Sequence, residues 1–155
     1  MVLHVLGVLS LLVVALLFGA TWYETVIMAP NYERDVPASI TLARQFLVRT
    51  PAVYFRPLAP LAQILTLLCV VFSWGRAGFG TFLAAFLILI LADIITFTYH
   101  YPRLALMFKT DAPVEPDRLR RAAREWGRGN IVRGVLLLLV LLAVLGGLHH
   151  ARLAV

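Results

Sequence analysis

Apolar residues run almost unbroken through four stretches of this chain, about 5–29, 58–74, 79–98 and 131–148, and polar residues gather between them. Each run is roughly 17 to 25 residues, which at 1.5 Å per residue crosses a hydrocarbon core of ~30 Å. Lipid offers the backbone no hydrogen-bond partner, so such runs must be helices. A single run is equally well a buried helix of a soluble protein; four in 155 residues are not. The pattern predicts an all-α fold, an integral membrane four-helix bundle, as one transmembrane domain over residues 1–155. The first run reads as a retained helix. Only His4 precedes its apolar stretch, so it lacks the basic start of a signal peptide, and it exceeds the length of a signal-peptide core.

The breaks between runs have their own chemistry. Gly75-Arg76-Ala77-Gly78 is a tight turn that makes runs two and three an antiparallel hairpin. The first connection is punctuated by Pro30, Pro37, Pro51, Pro57 and Pro60. Within it, Ala38 to Arg49 places Ile40, Ala43, Phe46 and Leu47 on one face, with Arg44, Gln45 and Arg49 away from it. That spacing predicts a short amphipathic helix lying in the interface. Tyr54, Phe55 and Arg56 follow as headgroup anchors. In the third connection, Asp111 to Asp117 reads as a solvated turn. Asp117 is the expected N-cap of a basic amphipathic segment, Arg118 to Trp126. That segment runs toward the fourth span, with Gly127 and Gly129 as weak points.

Composition sharpens the picture. Hydrophobic residues make up 61% and charged ones 14%, whereas a soluble domain carries about a quarter charged. The net charge of +6 raises a nucleic-acid partner, and the placement of the charges argues against it. Four of the fourteen Lys and Arg lie in or beside the first connection and eight in or beside the third, so twelve share one side of a four-span protein. The positive-inside rule makes that side cytoplasmic, with both termini outside, in the inner (plasma) membrane of a cell. The basic surplus then faces anionic lipid. Cys69, the single cysteine, cannot form the internal pair that thiol redox chemistry needs and reads as a small apolar residue.

Polar residues inside the spans are the candidates for chemistry. With helix one ending near Pro30, Glu24 lies about 9 Å inside it; with helix two starting at Pro57, Gln63 lies about 9 Å in. With helix three ending at Pro102, His100 is near the mouth, Thr96 about 9 Å and Asp93 about 13 Å deep. Asp93, Thr96 and His100 are spaced by three and four, one stripe of a helix, and so are Trp126, Asn130 and Arg133 if the fourth helix starts early. Ionisable groups in a membrane turn away from lipid and pair, and they mark sites by default. This predicts a polar cavity in the cytoplasmic half. The plainer reading is that Glu24 or Asp93 pairs with Arg133 or Arg103 to hold helices together, and that Tyr23, Tyr99 and Tyr101 are interfacial belt residues. His4, His149 and His150 fall on the other side. Their meeting would make a metal or haem site, but adjacent helical histidines point about 100° apart, so a solvated helix end accounts for them better. No metal site is predicted.

The chain resembles the anthrone oxygenase-like family of small four-helix membrane proteins. The likeness lies in a first helix running through Gly19 and Glu24 to Pro30 with APNY, in Phe46-Leu47-Val48-Arg49-Thr50-Pro51, in YPR after the third run, and in Trp126, Asn130 and Arg133 opening the fourth. It extends over nearly the whole chain through short motifs. The resemblance implies oxidation of an anthrone to an anthraquinone by O2 as co-substrate, with no cofactor. In that chemistry His100 or a carboxylate, Glu24 or Asp93, is the base. Arg133 with Asn130 holds the oxyanion. Trp22, Tyr23, Phe97, Tyr99 and Trp126 form flat walls for a lipophilic substrate, with Gln63 and Thr96 as further contacts.

Other classes remain open at this point. Intramembrane acids suit a lipophilic isomerase or cyclase, or an epoxide-opening enzyme, none of which needs O2. A non-catalytic quinone- or lipid-binding subunit or carrier would use the same layer for a head group. A proton-coupled transporter of four spans would need a homo-oligomer, for which Gly80, Ala84 and Ala85 offer a small-residue face.

Overall fold

A computed structural model describes residues 1–109 and 114–153, of Leu153 only the backbone. Residues 111–113 of the solvated turn expected over Asp111 to Asp117 lie outside the described residues. Among the described residues the chain is helical with no strand. There are five helices: α1 (Val2–Glu33), α2 (Ala38–Phe46), α3 (Ala52–Phe72), α4 (Phe79–Phe108) and α5 (Pro116–Leu153). All but α2 are long and apolar enough to cross a membrane, so the protein is multi-pass. The expected all-α membrane bundle is the fold.

Three boundaries differ from the sequence reading, each at a proline. Helix α1 does not end at Pro30, nor α4 at Pro102. In α1 a π-helical turn, Glu24–Met28, precedes the proline, and the Ala29 N–H bonds to the Glu24 carbonyl five residues back. In α4 the π turn is Thr96–His100, and the Tyr101 N–H bonds to the Thr96 carbonyl. A proline removes a helix N–H and presses its ring on the carbonyl four residues earlier. The extra residue of a π turn relieves that clash, and both helices continue. Side chains take up local carbonyls: Thr25 donates to Thr21 O at 2.7 Å, Asn31 to Ile27 O at 2.8 Å and Thr98 to Ile94 O at 2.7 Å. Helix α3 starts at Ala52 rather than at Pro57, and carries Pro57 and Pro60 inside it. Membrane helices tolerate such prolines near their ends.

The basic segment of the third connection is the beginning of α5, which runs unbroken over 38 residues. At 1.5 Å each that is about 57 Å, well beyond a ~30 Å core. Asp117 lies in the first turn of that helix rather than capping it, and pairs with Arg120 at 3.3 Å. Gly127 and Gly129 do not interrupt it.

The chain divides into two compact units. Residues 1–19, 51–92 and 135–155 form the first. Its core gathers Val14, Leu17, Ala62, Cys69, Phe82, Leu89, Val140 and Val144, from all four long helices. Close approach is set by glycines. A Cβ on Gly147 would lie 2.7 Å from the Phe82 ring, and Gly78, with φ +92°, faces the Gly147 carbonyl oxygen. The first unit holds one buried hydroxyl pair, Ser10 to Thr66 at 2.8 Å. Thr66 gives its proton to Ala62 O at 2.7 Å, so Ser10 is the donor in the pair. Leu, Val and Ile dominate the exposed apolar side chains of this unit, as lipid requires.

Residues 20–50 and 93–134 form the second unit. Its apolar core is Ala29, Tyr32, Val36, Ile40, Met107, Leu119, Ala122, Ala123 and Trp126. Helix α2 buries Ile40 as its pattern predicts. Phe46, at the end of α2, is exposed, and the Arg44 Nε donates to the Met107 carbonyl at 2.6 Å. Arg124 pairs with Glu33 at 2.7 Å and Arg133 with Glu24 at 2.9 Å. Nine residues separate the partners on each helix, so α1 and α5 run antiparallel in register through this unit.

Candidate functional site

Every candidate catalytic residue lies in the second unit. Glu24 is the first residue of the π turn in α1 and His100 the last of the π turn in α4. A π turn carries one residue more than an α turn. Side chains beyond it are therefore rotated from the ideal 3.6 repeat, and π turns concentrate at functional positions. His100 and Asn130 are completely buried, Trp126 nearly so, and Glu24 is 5% exposed.

Glu24 and Arg133 form a hydrogen-bonded ion pair with both side chains largely out of solvent. It is one of the pairings that the plainer sequence reading allowed. Asp93 and Tyr101 lie within Coulomb range of the same guanidinium. Arg133 also acts electrostatically on His100. One arginine thus connects α1, α4 and α5. Arg103 goes elsewhere: it pairs with Glu125 at 2.8 Å, donates to Tyr99 O at 2.8 Å, and stacks its guanidinium 3.5 Å from the centre of the Tyr99 ring.

The imidazole of His100 and the amide of Asn130 are the unusual groups. Both ring nitrogens and both amide heteroatoms are buried without a hydrogen-bond partner in the protein. The Gly129 backbone approaches the imidazole closely enough to influence it, yet falls short of hydrogen-bond geometry. Thr21 Oγ1 is in the same condition. Buried polar groups are nearly always satisfied, and leaving one unsatisfied costs about 1–3 kcal/mol. An imidazole and a carboxamide together can accept a proton and donate to an oxygen.

Glycine makes this arrangement sterically accessible. A Cβ on Gly129 would sit 2.7 Å from the Tyr99 ring and 2.9 Å from the His100 ring, so both rings rest on the bare α5 backbone. The sequence reading took Gly129 for a weak point; it is a contact surface. Thr21 was missed too, though it stands three residues before Glu24 and so on the same face.

The expected flat walls are partly corrected. Tyr23 and Phe97 are 58% and 61% exposed and point away from the interior. Phe97 stacks edge-on with Tyr101 at 5.1 Å, on the outer surface. Trp22, Thr96 and Tyr99 are half-buried. Trp126 is buried against Tyr32, centroids 5.6 Å apart. Gln63 belongs to the first unit. Among the described residues no three His, Cys, Asp or Glu side chains converge as a metal site. His149 and His150 are exposed, and His4 Nε2 accepts from Arg152 at 3.2 Å.

Comparison of the chain with models of protein families, with curated proteins and with solved structures gives no match. The chain is assigned to no family, and its site is read from its own geometry.

Proposed function

We propose that this protein is a membrane-embedded enzyme that binds the polar end of a small lipophilic molecule at His100 and Asn130, beside the Glu24–Arg133 pair. The observation that carries this reading is the pair of fully buried, unpartnered polar side chains. A polar ligand at that point removes a penalty of about 1–3 kcal/mol per group. The reaction we favour is cofactor-independent oxygenation of an anthrone-like substrate, to which the motif resemblance also points. His100 removes a proton from the acidic CH2 between two rings, and the Asn130 amide donates to the oxyanion. Arg133, fixed by Glu24, adds positive potential. The carbanion gives its electrons to O2 and the His100 proton returns, forming a hydroperoxide. Loss of water from that hydroperoxide leaves the quinone, so one substrate and one O2 give one quinone and one H2O. The histidine–amide pair favours this base chemistry over acid-initiated isomerisation, because the Glu24 carboxylate is already engaged by Arg133. Twelve of fourteen basic residues in or beside the first and third connections support a cytoplasmic position for those connections and an inner-membrane location.

The test is quinone formation from a simple anthrone in air by purified protein, with His100→Ala and Asn130→Leu beside wild type. Both variants should lose about 10²–10⁴-fold of the catalysed rate. Asn130→Leu should keep or raise the unfolding midpoint, because it removes an unpartnered buried amide. Wild-type rates equal to the uncatalysed oxidation, or a catalysed rate that persists without O2, would sink the oxygenase reading.

A further inference from the structure

The first unit contains no aspartate or glutamate: all eight acidic residues of the chain fall in the second. Its cationic side chains are Arg56, Arg76 and Arg152, and its histidines are His4, His149 and His150. Two of the arginines meet at one place. A cavity of about 770 Å³ is walled by His4, Arg76 and Arg152 together with Leu3, Ala77 and Ala151. These residues come from the start of α1, the α3–α4 turn and the end of α5. The turn is held there by Gly78, whose positive φ and contact with the Gly147 carbonyl leave no room for a Cβ. Arg76 sits two residues before that clamp. Arg152 is oriented by donating Nη2–H to His4 Nε2, which leaves the rest of its planar fork available.

We propose that this cavity binds a phosphate group, with Arg76 and Arg152 as its cations. Arginine forks match phosphate oxygens, and no aspartate or glutamate of this unit competes for them. The apolar walls Leu3, Ala77 and Ala151 suit the glycerol and upper acyl chain of an anionic phospholipid. Trp74, 75% exposed and stacked edge-on with Phe79 at 5.0 Å beside the turn, is the residue type that settles at headgroup depth. A free phosphate ester shares the recognising chemistry, so the experiment separates the two sources. The site uses no residue of the proposed oxygenation, and stands or falls apart from it.

The full-length protein in dodecyl maltoside is unfolded thermally with phosphatidylglycerol, phosphatidylcholine or inorganic phosphate added. Phosphatidylglycerol should raise the midpoint by several degrees over phosphatidylcholine in wild type and in Arg56→Gln, and by less than half as much in Arg76→Gln/Arg152→Gln. An effect of phosphatidylglycerol without one of phosphate assigns the site to the lipid headgroup. A phosphate effect with the same mutant sensitivity assigns it to a free phosphate. Equal phosphatidylglycerol shifts in wild type and the double variant, or no shift with either anion, overturn the proposal. Native mass spectrometry of wild type from mixed micelles is the second measurement. Preferential retention of phosphatidylglycerol supports the site, and equal retention of both lipids counts against it.

Discussion

The unit of residues 1–19, 51–92 and 135–155 and the unit of residues 20–50 and 93–134 share α1, α4 and α5, the first adding α3 and the second α2, and they are held by different means. The first is held by shape: valine, leucine and phenylalanine packed onto glycine, with one buried hydroxyl pair. The second adds to its apolar core charge across helices, through Glu24–Arg133, Glu33–Arg124 and Glu125–Arg103. Association of helices in lipid gains little from burying apolar surface, because lipid tails are equally apolar. Packing must therefore be close where no polar contact helps, which is why glycine meets Phe82 and why Ser10 needs Thr66. Where polar contacts do help, the helices can leave polar atoms of Thr21, His100 and Asn130 unsatisfied and still cohere.

The sharpest way to break the contrast is Glu24→Ala, which leaves the Arg133 guanidinium largely buried without its carboxylate. Removing one partner of a buried pair costs about 3–5 kcal/mol, and a thermal or denaturant midpoint in detergent should fall accordingly. A loss under 1 kcal/mol would show that charge does not hold the second unit. Placing the same methyl in both units comes next. Gly147→Ala meets Phe82 and Gly129→Ala meets Tyr99 and His100, each at a cost of about 1–3 kcal/mol by overpacking. Only Gly129→Ala should also reduce turnover, since it displaces the imidazole; equal turnover in the two variants would detach His100 from the chemistry. The smallest expected effect is Ser10→Ala. Thr66 keeps its bond to Ala62 O, and the loss should be about 0.6 kcal/mol, near the average for hydrogen bonds between membrane helices.

Much of this was legible in the sequence, and the reasons are specific. Hydrocarbon thickness fixes span length, so four spans follow from four runs, and the Gly75–Gly78 turn from its glycines. Glu24 pairing with Arg133 follows from the cost of a lone charge in lipid. Helix ends were misjudged at Pro30, Pro57 and Pro102 because proline was taken to stop a helix. In α1 and α4 a π turn lets the helix pass, and in α3 the prolines stand near its start. Tyr23 and Phe97 were assigned inward from residue type alone, and burial depends on the face each helix presents. Periodicity sets Arg44 apart from the apolar face of α2, but it does not reveal that the Met107 carbonyl near the end of α4 takes its Nε–H.

The two π turns carry a lesson for anyone who would transplant this site. Glu24 opens one and His100 closes the other, so the constellation is indexed to helices that each contain one residue too many. Grafted at their sequence spacing onto ideal α-helical scaffolds, His100 and the residues following Glu24 would come round on a different bearing. The four side chains would be present and the site would not. A faithful blueprint has to copy the surplus residue and the proline behind it along with the chemistry.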